Sequence, residues 1–285
     1  MIWNGANHID ALIIFLSLGI TYMPDVEKIR KWASSQEVST REKAALNPEA
    51  PPEILERLAE DEEWWIRACV CKNENVPVHV LRKLSKDPRP DVRSWASTNE
   101  QTPHGALERL AEKGTYHTLL MLAGNGAAPP RVVKRLVADP NNDVRDTASE
   151  HPNLPEGLLE LMRRAGRDAD LTNRPSEEGG EPLSESERER LMEAGPFGQR
   201  LVALNPSTPP DVLGRLAENA HWYGRVGVAK STTTPEETVR KLATDDDYEV
   251  RQTVASRPDA PKEVLSQLAE DEKRRVRSAA SENMG

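Results

Sequence analysis

The sequence predicts an all-α solenoid built from nine helical repeats of 26 residues. Three observations lead to this prediction. A common pattern restarts every 26 residues over most of the chain, proline follows most restarts four residues later, and the apolar residues behind that proline recur at helical spacing. A fixed period of about 20–50 residues is typical of solenoids and other repeat architectures.

The period is read from the first residue of each unit, which is called position 1 below. The starts are Thr21, Asn47, Asn73, Asn99, Asn125, His151, Asn205, Ser231 and Arg257. Every interval is 26 except that from His151 to Asn205, which is 54 and therefore holds 28 extra residues. We divide the chain into an apolar N-terminal capping segment (1–20), a first run of repeats (21–164), an acidic insertion (165–195) and the remaining repeats (196–285).

The first helix of each unit begins at a proline. Proline suits the first turn of a helix, where its missing N–H costs nothing. Apolar residues follow on one helical stripe, as in Ile54, Leu55 and Leu58. The helix is expected to end near position 15. The prolines at position 5 are Pro51, Pro77, Pro103, Pro129, Pro155, Pro209, Pro235 and Pro261.

A second helix follows a short linker. Its signal is an apolar pair at positions 20 and 24, such as Val92 with Ala96. Only about two turns fit before the next unit, so a very short helix of 3₁₀ type is expected. No β pattern is present. A unit this small cannot bury its apolar stripe alone, so neighbouring units must stack.

The repeat pattern resembles the leucine-rich repeat variant (LRV) family. "NPEAPPEILERLAED" (residues 47–61) and "PDVRSWAS" (residues 90–97) carry the resemblance, which extends over about nine tenths of the chain. It implies a right-handed superhelix of alternating α- and 3₁₀-helices that serves as an interaction surface. One member type binds an iron–sulfur cluster through N-terminal cysteines. This chain has no cysteine before Cys69, so no cofactor and no metal site are expected.

Composition limits the function further. The net charge of −9 argues against broad nucleic-acid binding, which depends on neutralising phosphates. The two cysteines, Cys69 and Cys71, are too few for a disulfide framework and indicate packing residues in a reducing, cytoplasmic setting. Residues 9–23 are apolar but too short to span a membrane, and no basic residue precedes them. We interpret them as a cap on the first repeat. Two alternatives are a natural start at Met23 and peripheral membrane attachment.

Arginine recurs at position 21 in seven of the nine units and forms the most regular charged column. One interpretation is a basic stripe for an acidic or phosphate-bearing partner. The other is a structural ladder in which each arginine pairs with the position-15 aspartate of its own or the next unit. The co-occurring residues favour the ladder: Asp61/Arg67, Asp87/Arg93, Asp139/Arg145, Asp245/Arg251 and Asp271/Arg277. It is interrupted where Lys113 and Leu119 occupy these two positions.

An aromatic column occupies position 18, just before the second helix. Trp and Tyr are over-represented at binding hot spots, so equivalent positions in stacked units would give a binding ridge. The alternative is a hydrophobic staple, with position 19 as N-cap (Ser39, Asp91, Asp143) and position 18 packed on position 23. The candidate ridge comprises Trp64, Trp65, Tyr116, Trp222, Tyr223 and Tyr248.

The insertion carries nine acidic and four basic residues. Its first half (166–182) has a disordered composition. Its second half predicts a short helix, because Ser184 and Glu187 form a capping-box pattern and Gly195-Pro196 ends the helix. It is interpreted either as a solvated loop or as an acidic arm for a basic partner.

No catalytic motif is present, and the six histidines show no ligand spacing. The sequence therefore predicts a non-catalytic scaffold that binds a protein partner of unknown identity. The alternative is a helical-repeat protein that binds or modifies nucleic acid through the arginine stripe.

Overall fold

The computed structural model describes residues 26–166 and 180–285, and this part of the chain is helical throughout with no β-strand. It divides into two compact units, which meet in sequence at Pro103 and His104. The first unit contains α1 (Val26–Ala33), α2 (Val38–Ala45), α3 (Pro52–Leu58), α4 (Trp64–Cys71), α5 (Val78–Leu84) and α6 (Pro90–Thr98).

The second unit holds the remaining helices. They are α7 (His104–Lys113), α8 (Tyr116–Ala123), α9 (Pro130–Leu136), α10 (Asn142–Ser149), α11 (Leu158–Ala165), α12 (Glu185–Ala194), α13 (Pro196–Leu204), α14 (Pro210–Asn219), α15 (Trp222–Lys230), α16 (Glu236–Leu242), α17 (Tyr248–Ala255), α18 (Lys262–Leu268) and α19 (Arg274–Met284). The predicted capping segment (1–20) and most of the half of the insertion that is predicted to be disordered (166–182) lie outside the described residues.

Each repeat is a pair of short helices joined by a tight linker. In the repeat that begins at Asn47, Pro51 is the N-cap of α3 in an extended conformation, and Pro52 follows at the first helical position. The fixed φ of proline favours this entry into a helix. The all-α repeat fold predicted from the period is therefore confirmed, whereas the count of nine units and the right-handed superhelix stay predictions.

The apolar stripe of the first helix faces the interior. Ile54, Leu55 and Leu58 of α3 are at most 4 % exposed, and Ile66 and Val70 of α4 are fully buried beside them. Burial of each large aliphatic side chain contributes roughly 1.5–3 kcal/mol. Since α3 has seven residues and α4 eight, this shared burial rather than helix propensity holds them in place.

The expectation of 3₁₀ second helices is wrong. All second helices in the described residues are α-helical, because their eight to eleven residues give enough length for i→i−4 hydrogen bonds. In α4, for example, the Arg67 N–H donates to the Glu63 carbonyl. Bonds of 3₁₀ type occur at both ends of this helix, where the Ile66 N–H donates to the Glu63 carbonyl and the Lys72 N–H to the Cys69 carbonyl. The first helix is also no longer than the second in most repeats.

Second helices of consecutive repeats stack directly on one another. Within the first unit α2 packs on α4 and α4 on α6, and within the second unit α13, α15, α17 and α19 stack in sequence. Small residues allow this approach. A Cβ on Gly227 would lie 3.1 Å from both the Ala203 Cβ and the Arg200 Cα of α13, so α15 needs glycine there.

The described part of the insertion packs through a few apolar residues, while most of its acidic residues stay exposed. Ser184 and Glu187 form the capping box of α12, and Gly195, at φ 149°, separates α12 from α13. Leu191 is fully buried, and α12 packs on α11 and α13. The Asn205 amide donates to the Glu181 carbonyl at 2.8 Å. Residues around Glu181 therefore take the place that the preceding repeat holds elsewhere.

Asparagine at position 1 joins its repeat to the preceding one at Asn73 and Asn99. The Asn73 side-chain amide donates to the Ala45 and Asn47 carbonyls, both at 2.8 Å, and its Oδ1 accepts the Asn75 N–H at 2.9 Å. Asn99 repeats this arrangement one repeat later. His151 substitutes for it with Nε2 on the Asn125 carbonyl and Nδ1 facing the Asn153 N–H. We call this set the asparagine ladder.

We expect Asn73→Ala to destabilise the protein by about 2–4 kcal/mol, because two carbonyls and one N–H lose their partner at a buried position. Urea unfolding followed by circular dichroism measures the loss. The control is Asn219→Ala, which removes one exposed side-chain bond and should change stability by less than about 0.5 kcal/mol. Equal effects in both variants would contradict a structural role for the ladder.

Candidate interaction surface

The arginine column forms bidentate ion pairs with the next repeat. Arg67 donates from Nε to Asp87 Oδ2 at 2.7 Å and from Nη2 to Asp87 Oδ1 at 3.0 Å. Its Nη1 donates to the Asp61 and Glu62 backbone carbonyls at 2.8 and 3.1 Å. One guanidinium thus binds its own linker and the following aspartate together. The same bidentate geometry occurs in Arg41/Asp61, Arg225/Asp245 and Arg251/Asp271.

The register of these pairs differs from the co-occurring pairs of the sequence. Arg67 reaches the carboxylate of Asp87, twenty residues on, and only the backbone carbonyl of Asp61. Likewise, Arg251 binds the Asp271 carboxylate and the Asp245 backbone carbonyl. The side chain of each arginine is long enough to reach the aspartate carboxylate of the next repeat. In its own repeat the arginine meets the backbone carbonyl oxygens of the linker instead.

The ion pairs shift the pKa values of the aspartates. Burial pushes the pKa of Asp245 up, but hydrogen bonds from Arg225 and from the Asp247 N–H outweigh it, so the pKa lies below 3.8. The hydrogen bond from Arg251 likewise lowers the pKa of Asp271 below 3.8. These aspartates are therefore ionised at neutral pH and neutralise their arginines. The arginines so paired cannot serve as a basic stripe.

The ladder is interrupted in three ways. Twenty residues after Arg93 stands Lys113, so the chain offers no carboxylate there, and Arg93 donates to the Asp87 and Pro88 carbonyls. Among the described residues, Arg277 donates from Nη1 to the Asp271 and Glu272 carbonyls.

Arg145 is the third interruption. It is fully buried, donates to the Asp139 and Pro140 carbonyls and to the Asn142 side chain, and stacks over Phe197 at 4.1 Å from the ring centroid. Burial lowers its pKa. Twenty residues after Arg145 stands Ala165, so the sequence has no carboxylate at the position of the ladder aspartate.

The hydrophobic-staple register predicted for the aromatic column is wrong. The N-cap lies at position 17, as in Glu63, Thr115 and His221, so position 18 is the first helical residue. The predicted caps Asp91 and Asp143 are instead the second residues of their helices. The aromatic side chains therefore project from helix N-termini beside the linker.

Two candidate ridge residues are adjacent in the first unit. Trp64 and Trp65 form an edge-to-face pair with ring centroids 5.7 Å apart, and both are half-buried. The Arg89 guanidinium lies 5.1 Å above Trp64. Lys72 lies over Trp65 and, at 3.7 Å, over Trp95. Aromatic and cationic groups thus share one surface of this unit, and such contacts contribute about 0.5–1 kcal/mol at exposed sites.

The second unit presents a comparable group. Trp222 and Tyr223 form an edge-to-face pair at 5.5 Å, and Tyr248 occupies the equivalent N-terminal position on the adjoining helix α17. All three are half-buried against the core. Tyr116 differs: it is 48 % exposed, and its hydroxyl donates to Asp143 Oδ2 at 2.7 Å. The structure thus pairs Trp64 with Trp65 in the first unit and Trp222 with Tyr223 in the second.

A cavity of about 560 Å³ opens in the second unit beside the insertion helix. Its acidic wall is formed by Glu108 and Glu112 of α7, and its basic wall by residues of α9 and by His221. Ala194 and Pro196 contribute apolar surface at the α12–α13 junction. Burial lowers the pKa of His221 below 6.5, so the imidazole is neutral at pH 7. No sequence pattern predicts this cavity, because the position of α12 depends on tertiary packing.

Both cysteines are buried free thiols. Burial raises the pKa of Cys69 to about 11 and that of Cys71 still further. In residues 26–166 and 180–285 no group of three or more His, Cys, Asp or Glu side chains is placed to bind a metal ion. No helix within those same ranges has the length and apolar character needed to cross a membrane.

Two segments of the chain match a known family. Residues 40–63 and 248–273 match the family model described as "Leucine rich repeat variant", a helical repeat family. The resemblance predicted from the repeat pattern is confirmed at these segments. Both contain an aspartate of the ladder, Asp61 in one and Asp271 in the other. No curated protein matches the chain.

Several solved structures show weak similarity. An engineered protein from the Northeast Structural Genomics Consortium is 19 % identical over 92 % of this chain and 97 % of its own, with a TM-score of 0.21. A second engineered protein from that consortium is 17 % identical over 92 % of this chain and 78 % of its own, with a TM-score of 0.28. A designed armadillo repeat protein is 13 % identical over 91 % and 98 %, with a TM-score of 0.22. Similarity this low says nothing about function.

We expect Asp245→Asn to cost about 3 kcal/mol at pH 7, because it leaves the part-buried Arg225 without its bidentate carboxylate. The neighbouring Asp246→Asn is the matched control. Asp246 also contacts Arg225, but its side chain is 92 % exposed, so the change should stay within about 0.5 kcal/mol. Urea unfolding at pH 7 measures both variants.

The same comparison has a pH dependence. The pKa of Asp245 in the folded protein lies below 3.8. The ionised carboxylate therefore stabilises the folded state above pH 3.8, and this stabilisation is lost as the pH falls through the folded-state pKa. The difference in the free energy of unfolding between wild type and Asp245→Asn should therefore be smaller at pH 3 than at pH 7. A gap that is constant from pH 7 to pH 3 would contradict the ion-pair interpretation.

We also expect both thiols to be unreactive toward a disulfide reagent in the folded protein at pH 8. Burial and the raised pKa values leave little accessible thiolate. Absorbance after addition of the reagent counts the thiols, and two should react after denaturation. Rapid modification of the native protein would show that α4 opens readily.

Proposed function

We propose that this protein is a non-catalytic helical-repeat scaffold that binds a protein partner through its aromatic residues. The observation that supports this most directly is the pairing of Trp64 with Trp65 and of Trp222 with Tyr223 at helix N-termini. Each pair has a half-exposed ring surface on a rigid two-helix support. Rigid aromatic groups lose little conformational entropy on binding and are enriched at hot spots.

The aromatic residues and their charged neighbours fit a protein surface better than a small-molecule pocket. Arg89 and Lys72 lie over the tryptophan rings of the first unit. The guanidinium of the buried Arg200 lies over the Tyr223 ring, with its Cζ atom 4.7 Å from the ring centroid. This contact fixes the orientation of the ring. A partner would meet a preorganised apolar centre with a charged rim, which is the usual arrangement at protein interfaces.

Nucleic-acid binding through the arginine column is less well supported. Arg41, Arg67, Arg225 and Arg251 are engaged by aspartate, and Arg145 is fully buried. A phosphate would have to displace carboxylates held by two hydrogen bonds each. The net charge of −9 adds long-range repulsion. We also place the protein in a reducing compartment such as the cytoplasm, since Cys69 and Cys71 are free thiols.

The test is substitution of the aromatic surface. We expect a variant with Trp64→Ala, Tyr116→Ala, Trp222→Ala and Tyr248→Ala to lose the bound partner, with each hot-spot ring contributing about 2 kcal/mol or more to binding. Affinity capture of partners, identified by mass spectrometry and confirmed with purified components, measures the loss. Circular dichroism checks that the variant is folded.

A matched control alters exposed charges on the first helices instead. Glu53→Ala and Lys262→Ala lie on α3 and α18, away from the aromatic residues in sequence, and should leave partner binding intact. If the aromatic variant is folded and captures the same partner with unchanged affinity, the proposed role of these rings is wrong.

A further inference from the structure

Asp139 differs from the other aspartates of the ladder in one respect. Five position-15 aspartates accept a hydrogen bond on Oδ1 from the backbone N–H two residues on, at 2.8–3.0 Å: Asp61, Asp87, Asp139, Asp245 and Asp271. Four of them also bind an arginine twenty residues earlier. For Asp139 the residue twenty positions earlier is Leu119, so this carboxylate has the ladder geometry without the ladder arginine.

The repeat that begins at Asn205 shows what an arginine does in this setting. Its first helix α14 has ten residues and ends at position 15, as does α7 in the repeat that begins at Asn99. There Arg225 joins the Asp245 carboxylate to the Ala220 carbonyl, which accepts Nη1 at 2.9 Å. By repeat position, the counterparts of Asp245 and Ala220 are Asp139 and Gly114. Acceptors for a guanidinium are therefore repeated at this point of the second unit.

The surroundings of Asp139 are partly desolvated but still open to water. Its exposure is intermediate, as is that of Asp245, whose side chain is 7 % exposed beneath its arginine. Burial raises the pKa of Asp139 above 3.8, the opposite direction to Asp245. Arg135 and His221, which line the 560 Å³ cavity, and Arg145 act on Asp139 only at a distance. No ion pair to Asp139 occurs within the described residues.

We propose that Asp139 binds the guanidinium group of an arginine side chain supplied by a protein partner, in the manner in which Asp245 binds Arg225. The two carboxylate oxygens accept parallel N–H donors, and the Gly114 carbonyl accepts a third. Planar, bidentate pairing of this kind selects arginine over lysine, whose ammonium is a single point donor. The partner therefore presents an exposed arginine.

This contact uses none of the aromatic rings, although His221 beside Trp222 acts electrostatically on Asp139, and it extends the proposed scaffold role to the chemistry of the partner. It needs no aromatic residue. Its test uses a small probe instead of the protein partner. The guanidinium site at Asp139 can therefore fail its test while the aromatic surface still binds protein, and the aromatic surface can fail while Asp139 still binds the probe.

The probe is N-acetyl-L-argininamide, titrated into ¹⁵N-labelled full-length protein and followed by NMR. We expect saturable shifts of the Asn141 and Gly114 amides, because the Asn141 N–H donates to Asp139 Oδ1. N-Acetyl-L-lysinamide should bind at least about tenfold more weakly. Asp139→Asn should abolish the saturable shift, and Leu119→Met should retain it. Equal binding of both probes, or binding that survives in Asp139→Asn, would overturn the proposal.

Leu119→Arg gives an independent readout. The new arginine should occupy the carboxylate, exclude the probe and lower the pKa of Asp139 in a ¹³C-detected titration, as Arg225 does for Asp245. Leu119→Lys is the control and should exclude the probe less completely. If Leu119→Arg folds but leaves both probe binding and the Asp139 titration unchanged, Asp139 is not a guanidinium site.

Discussion

The helices of this protein are too short to be stable alone, and every other feature depends on that constraint. A helix of seven or eight residues forms few i→i−4 bonds relative to the entropy lost in starting it. Its stability must come from neighbours. Successive second helices therefore pack face to face, and small residues such as Ala68 and Gly227 are buried where they meet. Each repeat supplies the surface that the next repeat needs.

Apolar packing alone would leave the stacking register loosely defined, and the two polar ladders remove that freedom. Asn73 fixes the position of its repeat relative to the previous one by donating hydrogen bonds to two backbone carbonyls of that repeat. Arg67 fixes the position of the next repeat through its bidentate ion pair with Asp87. A shift of one residue would break both sets of bonds and leave buried polar groups unsatisfied, which is costly. The hydrophobic core provides most of the stability, and the ladders determine the alignment.

The sequence predicts the repeat and its helices well, because proline and apolar spacing are local signals. It predicts that arginine and aspartate belong together, but not that Arg67 reaches Asp87 rather than the Asp61 carboxylate, since side-chain reach depends on how repeats stack. The 3₁₀ expectation is wrong because the second helices are long enough for α-helical hydrogen bonds. The asparagine at position 1 is visible as a column, yet its two carbonyl partners belong to residues 26 and 28 positions earlier. The packing of α12 and the cavity beside it require tertiary information.

The asparagine ladder has a consequence for how such a protein can change over evolutionary time. Its acceptors are main-chain carbonyls, which every residue type provides at the same place. Mutations on the outer faces of the helices therefore leave the alignment of repeats untouched. The exterior is free to diversify toward new ligands while the architecture is inherited unchanged, and one scaffold can give rise to many recognition specificities.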